Sequence, residues 1–388
     1  MRFAPESMAP VPEDDQWPEF GYSPIVSPEY VFGTVRLQQG QFFPTVLVAF
    51  DRATGREAWQ AEVGGHNWAQ VGAPIYRDGT IYTRAGAVDA ETGAVVWQSG
   101  VSQEDGPSAL YDDILVISGQ KFPSRDRPGL TALDAETGEV RWRRDNLLET
   151  SAYPSPVTTG DGRFYYFGVE PDLSETEQIN SAAADTYPFK LYARDPGTGE
   201  PVWTFTMEFD EDFYTSSHIV FSNGILYFSI SEGAELTHFF AVVAEDGSIL
   251  WQTDLATKGE VTSLTVGSES IFAASRYSRT YLTSLRKSDG SFRWSSDGES
   301  VLSGSDRPLT DTRYIGDSRH AGYSSPVLAD GVVYVCTGAK ESTIAAMDAT
   351  TGEGLWEFSA EHMGSGLALA GTELYAYGTD GAIYGITP

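Results

Sequence analysis

The sequence predicts an all-β chain folded as an eight-bladed β-propeller of four-stranded antiparallel blades, with an N-terminal strand completing the last blade. Three observations lead there. An Ala-x-Asp-x-x-Thr-Gly-x-x-x-Trp hairpin recurs along the chain. Each full unit pairs that hairpin with an earlier turn-bounded strand pair. The two ends of the chain carry the two halves of one further unit.

The hairpin is clearest in LTALDAETGEVRW, Leu130 to Trp142. Leu130 to Leu133 reads as a short apolar strand, Asp134 to Gly138 as a turn, and the rest as a strand ending in tryptophan. The Asp134 carboxylate can bond the backbone two residues on, and Gly138 supplies the positive φ of a tight turn. Full copies end at Trp59, Trp97, Trp142, Trp203 and Trp356. Degenerate copies that keep the glycine but lose the early aspartate end at Trp251 and Trp294. One hairpin cannot bury an indole, so the copies must stack on one another. Before the hairpins, Ala73 to Tyr82, Ser155 to Tyr165, Ser217 to Tyr227 and Ser325 to Tyr334 each form a strand, a turn and an aromatic-ended strand.

Successive hairpin tryptophans are 38, 45, 61, 48, 43 and 62 residues apart, close to one propeller blade except where two insertions intervene. The insertions are 170–188, polar throughout, and 296–320, rich in Ser, Asp and Arg. Residues 1–15 read as a flexible acidic, Pro-rich lead-in, and 16–388 as a single domain. Trp17 stands forty-two residues before Trp59 with nothing ahead of it to form a hairpin, whereas the final segment, Gly381 to Pro388, stops where a Thr-Gly turn should begin. Joining the segment around Trp17 to the last unit closes the ring and removes its free edges.

Composition narrows the function. The formal charge is −30, with five lysines against twenty arginines and 41% hydrophobic residues. Acidic excess with ample apolar content is not disorder. It fits a halophilic protein, whose self-repulsion is screened by salt. No basic stripe exists to contact phosphates, which argues against nucleic acid. Cys336 is the single cysteine and is expected to be a small buried residue, with no disulfide and no cysteine zinc site. No apolar run is long enough to span a membrane as a helix, and no export signal is visible, so the chain reads as cytoplasmic unless an upstream leader was removed. Asp161-Gly162 and Asp246-Gly247 lack the alternating ligands of a calcium loop and read as turns.

The hairpin pattern resembles the tryptophan-docking repeat of the PQQ-like β-propellers, over essentially the whole chain after residue 16. Trp17-Pro18-x-Phe20-Gly21 is similar to the start of haloarchaeal PQQ-like repeat proteins. The resemblance implies that the tryptophan of one blade packs on its neighbour, which makes Trp17, Trp59, Trp97, Trp142, Trp203, Trp251, Trp294 and Trp356 structural docking residues. The family includes quinoprotein alcohol and glucose dehydrogenases. It also includes non-enzymatic members similar to the bacterial outer-membrane assembly lipoprotein, which act as docking scaffolds. Fold alone does not choose between them. A PQQ-dependent dehydrogenase would need a Glu and an Asn on Ca²⁺, an Asp base and large sealing insertions. The vicinal disulfide of many such enzymes is ruled out by a single cysteine.

Four histidines, His66, His218, His320 and His362, fall at or shortly before the first strand of a blade. Innermost strands line a propeller's channel, so these imidazoles, with Arg276 and Arg319, are a candidate ligand site at its mouth. No catalytic or metal-binding set is legible. The expectation is a non-catalytic, monomeric scaffold without cofactor or metal, which binds a protein partner through loops 170–188 and 296–320. The alternative is a quinoprotein oxidoreductase holding PQQ and Ca²⁺ in the channel.

Overall fold

A computed structural model describes residues 1–3, 19–20, 23–36, 44–65, 74–83, 85–99, 108–119, 129–145, 157–168, 189–207, 214–232, 236–257, 259–276, 280–296, 325–336, 343–359, 363–378 and 382–387. These form eight antiparallel blades and no helix, an eight-bladed β-propeller. Blade 3 shows the plan. Ser108–Tyr111 pairs with Ile114–Gly119, which pairs with Gly129–Asp134, which pairs with Val140–Asp145. In blades 1 and 5 the inner strand is split, into Glu19–Phe20 and Ile25–Val26, and into Tyr214–Ser216 and Val220–Ser222.

The Thr-Gly turn is built as its residues require. The Asp134 carboxylate accepts from Thr137 N at 2.8 Å and from Thr137 Oγ1 at 3.0 Å, and Gly138 N donates to Asp134 O. The same Asp–Thr bonds recur at Asp51, Asp89, Asp195 and Asp348. After each turn the register slips by one residue, so that Trp142 faces Ala132 while Val140 faces Leu133. Such a bulge re-aims the side chain that follows it, here the tryptophan. It also turns outward the apolar residues just ahead of the indole, among them Val96, Leu250 and Leu355, each about half exposed. The other turns read as expected: Asn223 and Gly224 both have positive φ, 52° and 77°, as a two-residue hairpin turn demands. Asp161-Gly162 and Asp246-Gly247 are turns as well.

The core is not one mass but eight slabs, one at each seam between blades. Phe32, Leu47, Ile81 and Val88 fill the seam between blades 1 and 2. Tyr165, Phe228 and Phe240 fill that between blades 4 and 5. Val31, Phe50, Tyr375 and Ile383 fill that between blades 8 and 1. Cys336 is buried between blades 7 and 8.

The N-terminal strand closes the ring, but it is not the segment around Trp17. Arg2–Phe3 pairs with Tyr384 and Ile383 of blade 8, so part of the expected lead-in lies in the propeller. Glu19–Phe20, just after Trp17, pairs with Arg36 and Val35 of blade 1. Closure of this kind uses backbone donors and acceptors, which leave no side-chain pattern to find. Trp17 itself lies outside the described residues.

Candidate functional site

The topology sorts the molecule into two faces. Turns between first and second strands, and between third and fourth, are tight and fall on one face. Connections from second to third strand, and from blade to blade, leave from the other. Gly168 and Phe189, which flank 169–188, lie at that second face. So do Ser296 and Ser325, which flank 297–324. The two predicted partner loops thus start and end on the same side of the ring, although apart from Ser296 the loops lie outside the described residues.

The inner strands line the central axis and are tied by hydroxyls. Thr158 Oγ1 of blade 4 donates to Ile219 O of blade 5 at 2.6 Å, and Thr265 of blade 6 donates to Pro326 O of blade 7. His218 sits midway along the inner strand of blade 5, between buried Ser217 and Ile219. Ser217 Oγ donates to His218 O at 3.1 Å and accepts from Ser229 N at 2.9 Å, which fixes the backbone under the imidazole. The residue is partly buried, and desolvation by the surrounding protein pushes its pKa below the usual histidine value. It is therefore a neutral imidazole at pH 7. Arg276 closes the second strand of blade 6, paired with Glu260 and Thr280, and its side chain lies outside the described residues. His66, Arg319, His320 and His362 lie outside them too, so of the predicted channel-mouth set His218 alone has a described side chain.

The charged residues of the described inner strands are Glu19, Arg77 and Glu260. A hard cation such as Ca²⁺ takes six to eight oxygen ligands. Among the described residues no group of three or more His, Cys, Asp or Glu is placed to hold a metal ion.

One side-chain cluster was missed from sequence. His238, the histidine left out of the predicted set, lies in the third strand of blade 5, opposite Ile230 and Asp254. Its Nδ1 is 2.8 Å from Asp254 Oδ1 and its Nε2 is 3.4 Å from Glu232 Oε1, with the His238 and Glu232 side chains 13% and 12% exposed. Two carboxylates bracket one imidazole, which orients the ring but supplies no nucleophile. The signal was cross-strand register, which sequence spacing alone does not reveal.

The docking tryptophans converge on a single geometry. Trp59, Trp97, Trp142, Trp203, Trp251 and Trp294 each lie on the turn glycine of the next blade, Gly93, Gly138, Gly199, Gly247, Gly290 and Gly352. Each Nε1 donates to a backbone carbonyl of that turn, from 2.7 Å for Trp142 to Pro196 O to 3.3 Å for Trp294 to Ala349 O.

A family profile described as "Outer membrane protein assembly factor BamB" matches residues 83–166, 188–323 and 241–388. The chain belongs to this BamB-like PQQ-repeat family. BamB of Yersinia pestis is 26% identical over 211 residues, 54% of this chain and 47% of that protein. A polyvinylalcohol dehydrogenase of a Sphingopyxis strain is 25% identical over 310 residues, 62% of this chain and 46% of that protein. A 1-butanol dehydrogenase (quinone) of Thauera butanivorans is 28% identical over 166 residues, 39% of this chain and 25% of the enzyme. The chain thus spans less than half the length of these relatives. Among solved structures, BamB from Moraxella catarrhalis superposes with a TM-score of 0.59 at 16% identity, covering 95% of this chain and 99% of BamB. Quinohemoprotein alcohol dehydrogenase from Comamonas testosteroni gives 0.61 at 13% identity, covering 93% of this chain and 70% of the enzyme. At these identities the structures show a shared propeller fold. Among the described residues no helix is long and apolar enough to cross a membrane.

Proposed function

We propose that this BamB-like propeller is a non-catalytic scaffold that binds a protein partner on its long-connection face, through loops 170–188 and 296–320. The observation that carries this reading is the separation of the two faces. Tight turns close one face, while both insertions depart from the other, and long connections on a rigid frame are where binding function concentrates. The near end-to-end match with the M. catarrhalis BamB propeller supports it. Pull-down with the intact chain and with each loop replaced by a short Gly-Ser linker is the test. Loss of the partner with the loops supports the reading, and undiminished recovery without them removes it.

The dehydrogenase relatives keep one alternative open, a PQQ and Ca²⁺ site in the channel. Equilibrium binding of PQQ with Ca²⁺ in molar salt decides between them: stoichiometric binding favours the oxidoreductase, and none favours the scaffold. We also propose that the protein works in high salt. With a charge of −30, dilution from 1 M salt, where the Debye length is about 3 Å, to 0.1 M, where it is about 10 Å, should lower the melting temperature. A melting temperature independent of salt would overturn that reading.

A further inference from the structure

We propose that the outer edge of blade 4, Pro201–Met207, binds an extended, cationic segment of a partner polypeptide as a fifth strand. The site lies on the rim, so it stands or falls apart from the long-connection loops.

A strand at the edge of a sheet leaves alternate backbone N–H and C=O groups without a partner strand, and natural edges suppress unwanted pairing by charge or by shortness. Among the described outermost strands, all but one use these devices. Charges stand at Glu62 in blade 1, Arg143 in blade 3, Asp254 in blade 5, Arg293 in blade 6, Glu357 in blade 7 and Arg2 in blade 8. In blade 2 the strand Val95–Gln98 has no charge but is only four residues long. Blade 4 uses neither device. Its outer strand, PVWTFTM, is seven residues long, has no charged side chain, and places its proline at the first position. Among the described residues no strand lies beyond it. Its surface is open to solvent: Val202 is 48% exposed, and Thr204 and Thr206 are exposed as well. Past the bulge the pairing is regular, with Trp203 to Met207 opposite Ala193 to Phe189. The backbone groups facing away from the blade therefore keep the spacing of an antiparallel ladder.

The edge also selects its ligand. Thr204 and Thr206 lie on one side of the strand, and Trp203, Phe205 and Met207 on the other, at the seam with blade 5. Trp203 and Phe205 are only partly buried there. An added strand with apolar residues at alternate positions extends their cover, and hydroxyl side chains at the other positions sit beside the threonines. Charge sets the rest. The strand runs in sequence into Glu208, Asp210, Glu211 and Asp212, in a chain of net charge −30. Arg144, which reaches blade 4 from blade 3, is already bonded to Thr198 O and Glu200. A basic end on the incoming segment complements this edge. A second copy would instead set two acidic chains side by side.

The test uses the full chain at the lowest salt that keeps its circular dichroism native. The probe is a synthetic peptide of alternating Thr and Val with a pair of Lys at each end. The expected result is saturable binding that slows hydrogen exchange at the amides of Val202 to Met207 facing away from Phe189–Arg194. Binding should fall about tenfold when Thr204→Lys and Thr206→Lys are combined, and about as much when the peptide carries Glu pairs instead. N-methylation throughout the Thr–Val core, which keeps the side chains but removes the backbone donors, should abolish binding. No binding, full binding of the N-methylated peptide, or unchanged binding to the double variant overturns the proposal. Equal binding of the Glu-flanked peptide overturns the cationic assignment. Self-association that the double variant abolishes places a second copy on the edge and overturns the assignment to a separate partner. The loop replacements that test the scaffold leave this edge in place, so the two readings fail separately.

Discussion

Six seams of the ring are closed by an indole resting on a glycine, while the seam between blades 8 and 1 is closed by a guanidinium. Arg52 follows Asp51 in the blade 1 turn, at the position where Ala90, Ala135 and Ala349 offer their carbonyls to a tryptophan. It reaches back to blade 8 instead. Its Nε donates to Tyr375 Oη at 2.8 Å, its Nη2 donates to Glu373 Oε2 at 2.7 Å and Ala370 O at 3.0 Å, and Tyr375 Oη donates to Glu373. Buried Tyr377 adds its hydroxyl as acceptor for Thr34 N, and burial raises its pKa above the usual tyrosine value. Lys287 shows an intermediate form. Its carbonyl takes the Trp251 indole, while its ammonium reaches back to Ser222 Oγ of blade 5 and Gly267 O. In each of the seven described turns this position clamps two blades together. An apolar clamp works through area removed from water, an ionic one through directed bonds at a half-exposed site, and the two should respond differently to mutation and salt.

The largest effect is expected at an indole clamp. Trp142→Ala removes a side chain 8% exposed together with its bond to Pro196, and should cost about 3–5 kcal/mol in urea unfolding at molar salt. A loss under about 1 kcal/mol would mean that the indole is not the clamp. Gly199→Ala comes next. Its φ is 71° and the added Cβ would lie 2.7 Å from Trp142 Cε3, so about 1–3 kcal/mol is expected. Combined with Trp142→Ala, the Gly199→Ala cost should shrink, because the clash is gone. Strict additivity of the two would break the contact argument.

Arg52→Met should cost less, about 1–2 kcal/mol, since Arg52 and Glu373 are 23% and 41% exposed and the bonds are partly screened. The difference from the native chain should narrow as salt rises, and hydrogen exchange should quicken first at the blade 8–blade 1 seam. Equal protection there would show that the apolar slab alone holds the ring shut. The smallest effect concerns the Asp134 carboxyl, whose bond from Arg141 holds its pKa down to about 2. A folded value below the unfolded one stabilises above about pH 4, and that contribution is lost as pH falls towards 2. Arg141→Ala should return the Asp134 titration, followed by NMR, towards the ordinary aspartate value. An unmoved titration would assign the shift to Thr137 instead.

Particular residues show what was legible. The Asp–Thr–Gly–Trp spacing contains all the local chemistry of the turn, so the hairpins at Trp59 through Trp356 could be read from sequence, as could the eight-unit count. Arg2–Phe3 carries no such mark, and the search for a tryptophan led instead to Trp17. The split inner strands of blades 1 and 5, and the bulge that aims every indole, were not visible because neither changes the apolar pattern. The channel-mouth set was assembled from positions near blade starts, and what the structure adds is the desolvated His218.

Sequence alone therefore determined the repeat, the turn chemistry, the acidic character and the number of blades, because each is written within a dozen contiguous residues or in composition. Tertiary structure decided which blade six of the tryptophans grip and that Arg52 ties blade 1 to blade 8. It also brought Glu232, His238 and Asp254 together. These contacts join residues from different strands and blades, and their distances are set by register and ring closure, quantities that no local stretch of sequence encodes.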